Sequence, residues 1–281
     1  MKKQLFNLTS SGAAVLAASL AGGYVQATEP CDDFGECKAI IEINSTDGDI
    51  GFHFLMDGDD LNMARIFDAE GRKVFQDQAK GPLKKQKLTE TFAESAEPLC
   101  WNDPEADEDD LIVYLEEFLA RWPAGYYLFE GHSDGGEKSF GETMLTYDLP
   151  AAPVDVDFDG SIISWAAGDD LGECADYFLL DALVTDGTLS THPEDVEVDS
   201  WEIVLEPDVE DGDITGSLVY SIRVAGDIAP MAVSVPAEYL ASLPDDTPVK
   251  IEVGAIGGED NATFTEEDGY CVNEVAGCED E

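Results

Sequence analysis

Three histidines come first among the residues that could do chemistry, because an imidazole titrates near neutral pH and binds metal ions. His53, His132 and His192 do not stand in H-E-x-x-H or in another metal-ligand spacing. His53 alternates with apolar residues in a predicted strand, and His192 precedes Pro193 in a polar loop. The histidines therefore predict neither a metal site nor a catalytic base.

One segment does combine a histidine, a serine and an aspartate: His132, Ser133 and Asp134 in the glycine-rich run 131–136. Adjacent residues in a tight turn cannot point at one another as a catalytic triad must, so the run predicts a hairpin. The sequence also lacks a glycine-rich phosphate loop, and the G-x-S-x-G pattern at 131–135 falls within this predicted hairpin rather than at a strand-to-helix turn. We expect no catalytic residue and no enzyme. A carbohydrate-active hydrolase is the alternative, because its two carboxylates could be any of 62 acidic residues.

Asp155, Asp157 and Asp159 precede Gly160 in the D-x-D-x-D-G opening of an EF-hand calcium loop. An EF-hand also needs a bidentate glutamate at its twelfth position, where this chain has Ala166. The segment alternates like a strand, so it predicts a sheet edge whose three aspartates bind Ca²⁺ weakly at most. The D-G-D tripeptides at 47–49, 57–59 and 211–213 are predicted to be hairpin turns.

The N-terminus has the form of a secretory signal peptide over residues 1–27. Lys2 and Lys3 form a positive start, an apolar stretch runs over 13–21, and Val25-Gln26-Ala27 offers a cleavage site. No later segment reaches 18 uninterrupted apolar residues, so no membrane insertion is expected. The sequence predicts a bacterial protein that is exported to the periplasm or the extracellular medium.

The charge of the chain limits its partners. It has 62 acidic and 14 basic residues and a formal net charge of −48, which repels nucleic acid and anionic membranes. High charge can also indicate disorder, but 44% of the residues are apolar, and β-branched and aromatic residues recur in short runs. The acid therefore predicts a solvated, salt-tolerant surface or one that holds divalent cations loosely.

Six cysteines in an exported chain predict three disulfides, with fifteen possible connectivities. No Cys-x-x-Cys pair is present, which argues against a zinc site and a thioredoxin-like motif. The first two and the last two are close enough in sequence to close local loops. The six are Cys31, Cys37, Cys100, Cys174, Cys271 and Cys278.

The first half, residues 28–149, reads as short strands with one helix. Leu111, Leu115, Phe118, Leu119 and Trp122 form an apolar stripe at helical spacing, which predicts a helix over about 110–122. Asp109 or Asp110 would cap it and Pro123 would end it. The predicted strands are 38–44, 50–56, 63–67, 73–75, 126–129 and 143–147, and segment 149–153 is the predicted linker.

The second half contains several segments of a recognisable pattern: F-D-G-S-I-I-S-W at 158–165, V-P-A-E-Y-L at 235–240, and segments 249–255 and 261–263. With them it resembles a fibronectin type III domain over about residues 150–272. Trp165 would be the core tryptophan of its second strand, whereas Val249 stands where the family usually carries the corner tyrosine. The resemblance implies a β-sandwich of the kind found in exported bacterial proteins.

This template implies seven strands with a long insertion, 167–199, between the second and third. In the fibronectin type III arrangement the insertion lies at the end that faces the preceding domain. We therefore hypothesise that Cys174 pairs with Cys100 and clamps the insertion to the first domain. The implied strands are 154–158, 161–166, 200–206, 217–224, 231–235, 248–256 and 262–266.

A basic segment stands out against the acidic background between Arg65 and Lys87. It could dock an acidic patch on a second copy of the chain, or it could be an edge strand whose lysines discourage sheet pairing. Its basic residues are Arg65, Arg72, Lys73, Lys80, Lys84, Lys85 and Lys87.

The expected fold class is all-β, with two tandem antiparallel β-sandwich domains, one short helix in the first domain and an acidic tail at 273–281. The expected function is a non-enzymatic binding or structural module for an unidentified protein or polysaccharide partner. A calcium-dependent surface or matrix adhesion component is the alternative outside enzymology.

Overall fold

The computed structural model describes residues 31–103, 106, 111–209 and 213–278. The predicted signal peptide, both predicted caps of the first helix, and residues 279–281 of the acidic tail lie outside the described residues. So do two residues of the predicted turn at 211–213.

The described residues of the first half form seven strands. Their residues alternate between core and outer face, as in the run Ala39, Ile41 and Ile43, which points inward from β1. The strands are β1 (Glu36–Asn44), β2 (Asp49–Leu61), β3 (Met63–Phe67), β4 (Lys73–Gln78), β5 (Leu88–Glu94), β6 (Gly125–His132) and β7 (Lys138–Leu145).

The part of the second half that the structure describes also contributes seven strands, and each overlaps one of the seven that the fibronectin type III template implied. Trp165 is buried against Trp201, with ring centroids 5.8 Å apart, as expected of a core tryptophan. The strands are β8 (Val154–Phe158), β9 (Ile162–Ala166), β10 (Val198–Pro207), β11 (Tyr220–Ala225), β12 (Ala232–Ser234), β13 (Thr247–Gly257) and β14 (Ala262–Val272).

Helices are few and short in the described residues, so the all-β prediction is confirmed. The predicted helix over 110–122 is shorter, and Leu111 of its apolar stripe is exposed, while Leu115, Phe118 and Leu119 are buried. A second helix of the first half, and strand β5 after it, were not predicted. The helices are α1 (Gly81–Gln86), α2 (Leu115–Arg121), α3 (Tyr177–Asp186) and α4 (Ala237–Leu240).

Three sheets build two sandwiches that share one layer. A seven-stranded sheet runs in the order β11-β10-β13-β14-β1-β2-β5 and so contains strands of both halves. The sheet β4-β3-β6-β7 covers its first-half part, and β12-β9-β8 covers its second-half part. Both hydrophobic cores lie on the same side of the shared sheet, because Ile43, Thr263, Ala255 and Trp201 follow one another across it in register.

The joint between the halves is a parallel pairing of β1 with β14, whereas the other pairings between described strands are antiparallel. Asn261, which is 1% exposed, holds this joint through both ends of its amide. Its Oδ1 accepts a hydrogen bond of 2.9 Å from the backbone N–H of Ile41. Its Nδ2 donates to the carbonyls of Thr146 at 3.0 Å and Asp148 at 3.3 Å. One side chain thus connects β1, β14 and the segment that links the halves.

The insertion 167–199 packs into the core of the first half. Its helix α3 begins at the capping residue Asp176, and Leu180 and Leu183 on its inner face join the first core. Cys174 forms a disulfide with Cys100, as hypothesised. The predicted linker is equally well packed: residues 149–153 are buried, and Ala152 donates to the carbonyl of Asp170.

The two local disulfides also form, Cys31–Cys37 and Cys271–Cys278. The second ties down the described part of the acidic tail, where Asp246 accepts from the N–H groups of Val275, Ala276 and Gly277. The prediction of a turn at 57–59 was wrong. Gly58 lies inside β2, where the register shifts and a Cβ would come within 2.5 Å of the Phe34 ring.

Replacing Asn261 with alanine should destabilise the protein by about 2–4 kcal/mol, because it leaves one N–H and two carbonyls unpaired in a buried joint. Urea unfolding followed by circular dichroism measures the effect, with the exposed Asn102→Ala as the control. A loss below about 0.5 kcal/mol would show that the joint does not depend on this amide.

The Cys100→Ala/Cys174→Ala pair should cost about 4 kcal/mol, against about 2 kcal/mol for Cys271→Ala/Cys278→Ala, because the loop-entropy cost grows with loop length. The sequence separations are 74 and 7 residues. Peptide mapping without reductant checks the connectivity, and a Cys174–Cys278 peptide would contradict it.

Candidate functional site

The outward face of the shared sheet carries a groove of about 270 Å³ that crosses the joint between the halves. Strands β1, β2 and β5 form one wall, and β10, β11, β13 and β14 form the other. The side chains that define it include Lys38, Glu42, His53, Phe92, Arg223 and Phe264. Because these residues alternate with the core residues of their strands, burial of the core directs them all to this face.

Two strand glycines make room for the groove. Gly254 faces outward beside Phe264, and a Cβ at Gly254 would come within 2.3 Å of that ring. Gly51 faces outward beside His53, and a Cβ there would come within 2.7 Å of the imidazole Nε2. The aromatic rings therefore lie over positions that carry no side chain.

Apolar and ion-paired residues alternate along the groove. Phe92 is 46% exposed at the first-half wall. The Nζ of Lys38 lies 2.7 Å from Oε1 of Glu36 and 3.4 Å from Oδ2 of Asp260. The ion pair with Asp260 joins β1 to the β13–β14 turn. Arg223 donates to Glu202 at 3.0 Å across β10 and β11.

Glu42 and His53 line the groove, and Glu97 completes a cluster with them around Gly51. Glu42 is the cross-strand partner of Gly51, and His53 lies two residues further along the same face of β2. Glu97 reaches Gly51 from the segment after β5, which is held by Ile50 N–H donating to the Pro98 carbonyl. The ligand atoms of the three side chains lie within 4.8 Å of one another, the one such trio among the described residues.

Burial dominates the electrostatics of this cluster. It raises the pKa of Glu42 to about 7, and His53 opposes the rise while Glu97 and Glu202 add to it. Burial lowers the pKa of His53, but Glu97, Glu42 and Glu94 together raise it above its ordinary value. Asp49 also has its pKa raised to about 7, by burial and by Glu97. Glu42 and Asp49 therefore exchange protons near neutral pH.

Further along the same face, three glutamates surround Lys250. Its Nζ lies 2.8 Å from Glu266, 3.2 Å from Glu206 and 3.8 Å from Glu252. Burial raises the pKa of Glu252 to about 8, and Glu206 adds to the rise because Lys250 alone does not neutralise three carboxylates. Burial lowers the pKa of Lys250, but Glu266, Glu206 and Glu252 raise it above its ordinary value.

The other two histidines do not form sites. His132 contacts Glu130 and ends β6, and the run 131–136 is a hairpin, as predicted. Asp134 accepts from Asn62 and pairs with Lys87, so it does not approach His132 as a triad member would. His192 is buried against Tyr177, with ring centroids 4.3 Å apart, rather than exposed in a polar loop.

The three aspartates of the EF-hand-like run do not converge either. β8 is the edge of its sheet, as predicted, with Val156 and Phe158 inward. Asp159 turns back and accepts from the N–H groups of Ser161 and Ile162. In the described ranges this run forms no trio of converging ligand atoms.

The basic segment Arg65–Lys87 is partly neutralised within the chain. Arg65 pairs with Glu130 at 3.0 Å, and Arg72 pairs with Asp68 at 2.6 Å. β4, which starts at Lys73, is an edge strand, in agreement with the protective role of edge lysines.

Sequence reasoning missed the Glu42–His53–Glu97 cluster. Its members are distant in sequence, so no spacing motif connects them. The signal that was present is Gly51 within a hydrophobic strand, because a strand glycine marks a close approach of other groups.

No family model matches the chain, and no curated protein matches it. Among solved structures, a tetra-tandem repeat from the extending region of a large adhesion protein is 11% identical with a TM-score of 0.25, covering 84% of this chain and 50% of that one. The BSP domain of a biofilm-associated protein is 10% identical with a TM-score of 0.22, covering 87% and 30%. A structure of a 1.5-MDa bacterial ice-binding adhesin is 12% identical with a TM-score of 0.22, covering 86% and 65%.

The chain thus spans less than two thirds of each of these structures, and likeness at this level does not indicate a function. Within the described ranges, no helix has the length and apolar character needed to cross a membrane.

Glu252→Gln should stabilise the protein by about 1–3 kcal/mol above pH 8 and leave it unchanged below pH 4.5. Because the folded-state pKa of about 8 lies above the ordinary 4.5, protonation of Glu252 favours folding at low pH, and this contribution is lost as the pH rises through 8. Glutamine keeps the shape without the charge. Denaturant unfolding between pH 4 and 9 measures the difference, with exposed Glu238→Gln as the control, and a pH-independent difference would contradict it.

Proposed function

We propose that this chain is an exported, non-enzymatic binding module whose groove on the shared sheet holds a segment of a neutral polysaccharide. The observation that carries the proposal is the groove itself, which combines the half-exposed ring of Phe92 with ion-paired carboxylates on a rigid sheet. Ligand sites typically combine apolar walls with a few placed polar groups in this way.

The chemistry of the lining favours a sugar over other partners. The face of an aromatic ring such as Phe92 packs against the C–H groups of a sugar ring. The carboxylates of Glu90, Glu202 and Asp260 accept hydrogen bonds from hydroxyl groups. A neutral glycan is not repelled by the net charge of −48, whereas nucleic acids and anionic membranes are.

The proposal also includes the domain architecture of the chain and the compartment to which it is exported. We place a fibronectin type III-like domain at 150–272, after a first domain at 28–149. The support is the pair of facing layers in the second half, β8, β9 and β12 against β10, β11, β13 and β14. Three disulfides support export to the periplasm or the extracellular medium, because disulfides persist in oxidising compartments. Calcium-dependent adhesion gains no support from the aspartates of β8.

A hydrolase is the second candidate. It would require a pocket lined by acidic residues from both halves, and this groove has such a lining. Glu42 and Glu90 come from the first half and Glu202 from the second. Glu42, with a pKa of about 7, has the protonation that a general acid needs near neutral pH.

Phe92→Ala should weaken binding to a neutral polysaccharide by about 10-fold or more, as loss of a central aromatic contact does. Surface plasmon resonance on immobilised neutral glycans measures the affinity, after a glycan array has selected the ligand. Phe140→Ala is the matched control, because Phe140 is an aromatic residue of similar exposure on the other sheet.

Equal binding by the parent protein and Phe92→Ala would contradict the proposed groove. The glycan recovered after incubation distinguishes the two candidates: intact chains support a binding module, and shortened chains would place the protein among the hydrolases.

A further inference from the structure

His53 is buried without a hydrogen-bond partner on either ring nitrogen. The residue is 1% exposed, and neither Nδ1 nor Nε2 has a partner. A buried polar group that loses water without gaining a partner costs free energy, so such groups are rare and call for an explanation. The carboxylates of Glu42 and Glu97 lie within 4.8 Å of the imidazole but do not form a hydrogen bond with it.

The spacing of the atoms fits a bound ion better than a direct contact. The Nε2 of His53 is 3.6 Å from Oε1 of Glu97, which is too long for a hydrogen bond. Two ligand atoms each about 2.1 Å from a tetrahedral ion stand about 3.4 Å apart. Glu42 supplies the third ligand within 4.8 Å of the other two.

The space for this arrangement depends on Gly51. A Cβ at that position would come within 2.7 Å of the His53 Nε2 and 3.2 Å of the Glu97 Oε1. Glycine thus keeps the ligand atoms free to converge on one point.

We propose that Glu42, His53 and Glu97 bind one divalent transition-metal ion of the Zn²⁺ type beside the groove. One imidazole and two carboxylates suit Zn²⁺ and its first-row neighbours, whereas Ca²⁺ takes six to eight oxygen ligands and Mg²⁺ retains most of its waters. A dication also neutralises the carboxylates of Glu42, which is buried, and Glu97, which is partly buried.

The ion would connect three neighbouring segments, β1, β2 and the chain after β5. Three protein ligands leave a fourth position of a tetrahedral ion open, as in zinc sites that bind a further molecule. Since Glu42 and His53 line the groove, the ion would lie beside it. The inference stands on these three side chains and goes beyond the polysaccharide proposal, which it does not require.

The test is Zn²⁺ binding by the whole protein after chelator treatment, measured by competition with a chromophoric chelator. Excess Ca²⁺ and Mg²⁺ at high ionic strength occupy the acidic surface, so that only a selective site takes up Zn²⁺. We expect one ion per chain, and X-ray absorption should show one nitrogen ligand and oxygen ligands at about 2.0–2.2 Å.

Glu97→Gln should lower the Zn²⁺ affinity by at least about 10-fold, because even the mutation of a residue that only orients a metal ligand lowers metal affinity by that factor. Gly51→Ala should do the same without removing a ligand. Glu94→Gln is the matched control: it removes a nearby charge on the same face but no ligand, and should leave the affinity within about three-fold of the parent.

Circular dichroism confirms that each variant is folded before its affinity is compared. Weak binding of several ions, displacement of Zn²⁺ by excess Ca²⁺, or equal losses for Glu97→Gln and Glu94→Gln would overturn the proposal, because each indicates attraction by the acidic surface alone. The glycan-binding measurement is made both in chelator and in Zn²⁺. Failure of the polysaccharide proposal therefore does not decide the Zn²⁺ proposal, or the reverse.

Discussion

The parallel pairing of β1 with β14 is the constraint on which the rest of the structure depends. It joins residues about 220 positions apart through Glu42–Ala262, Ile43–Thr263 and Asn44–Phe264, and it turns two sandwiches into one body with a shared layer. Parallel pairs are slightly less stable per residue than antiparallel ones, so side chains reinforce the joint. Asn261 does so at one end, and Ser45 and Thr46 do so at the other through Thr265 and the backbone of Glu266.

The groove is a consequence of this joint. Neither half alone has enough sheet to form it, because its walls stand on strands from both sides of β1 and β14. The disulfide from Cys100 to Cys174 and the burial of Leu180 and Leu183 hold the halves together from the other face. The groove is therefore preorganised, which lowers the entropic cost of binding a ligand.

The strong acidity of the chain reaches into this face of the sheet. Glu42, Asp49 and Glu252 are buried far enough that burial raises the pKa of each to about 7 or 8. One group of acids gathers around Lys250 and the other around His53. In the first group Lys250 lowers the electrostatic cost that burial of carboxylates imposes, and in the second His53 opposes the rise in the pKa of Glu42.

The sequence by itself determined the local features. The resemblance to a fibronectin type III domain implied all seven strands of the second half. Period-two alternation indicated strands of the first half, because alternation is imposed by each strand's own two faces. Cysteine number and nearness in sequence predicted both local disulfides. The apolar stripe from Leu115 to Leu119 predicted a helix, although Leu111 lies outside it.

Only the tertiary structure decided the shared sheet, the buried linker and the convergence of Glu42, His53 and Glu97. Each depends on which distant strands become neighbours and in which register, and packing of the whole core settles that choice. Gly51 illustrates the difference. The sequence places a glycine in a strand, but only the fold brings His53 and Glu97 over it.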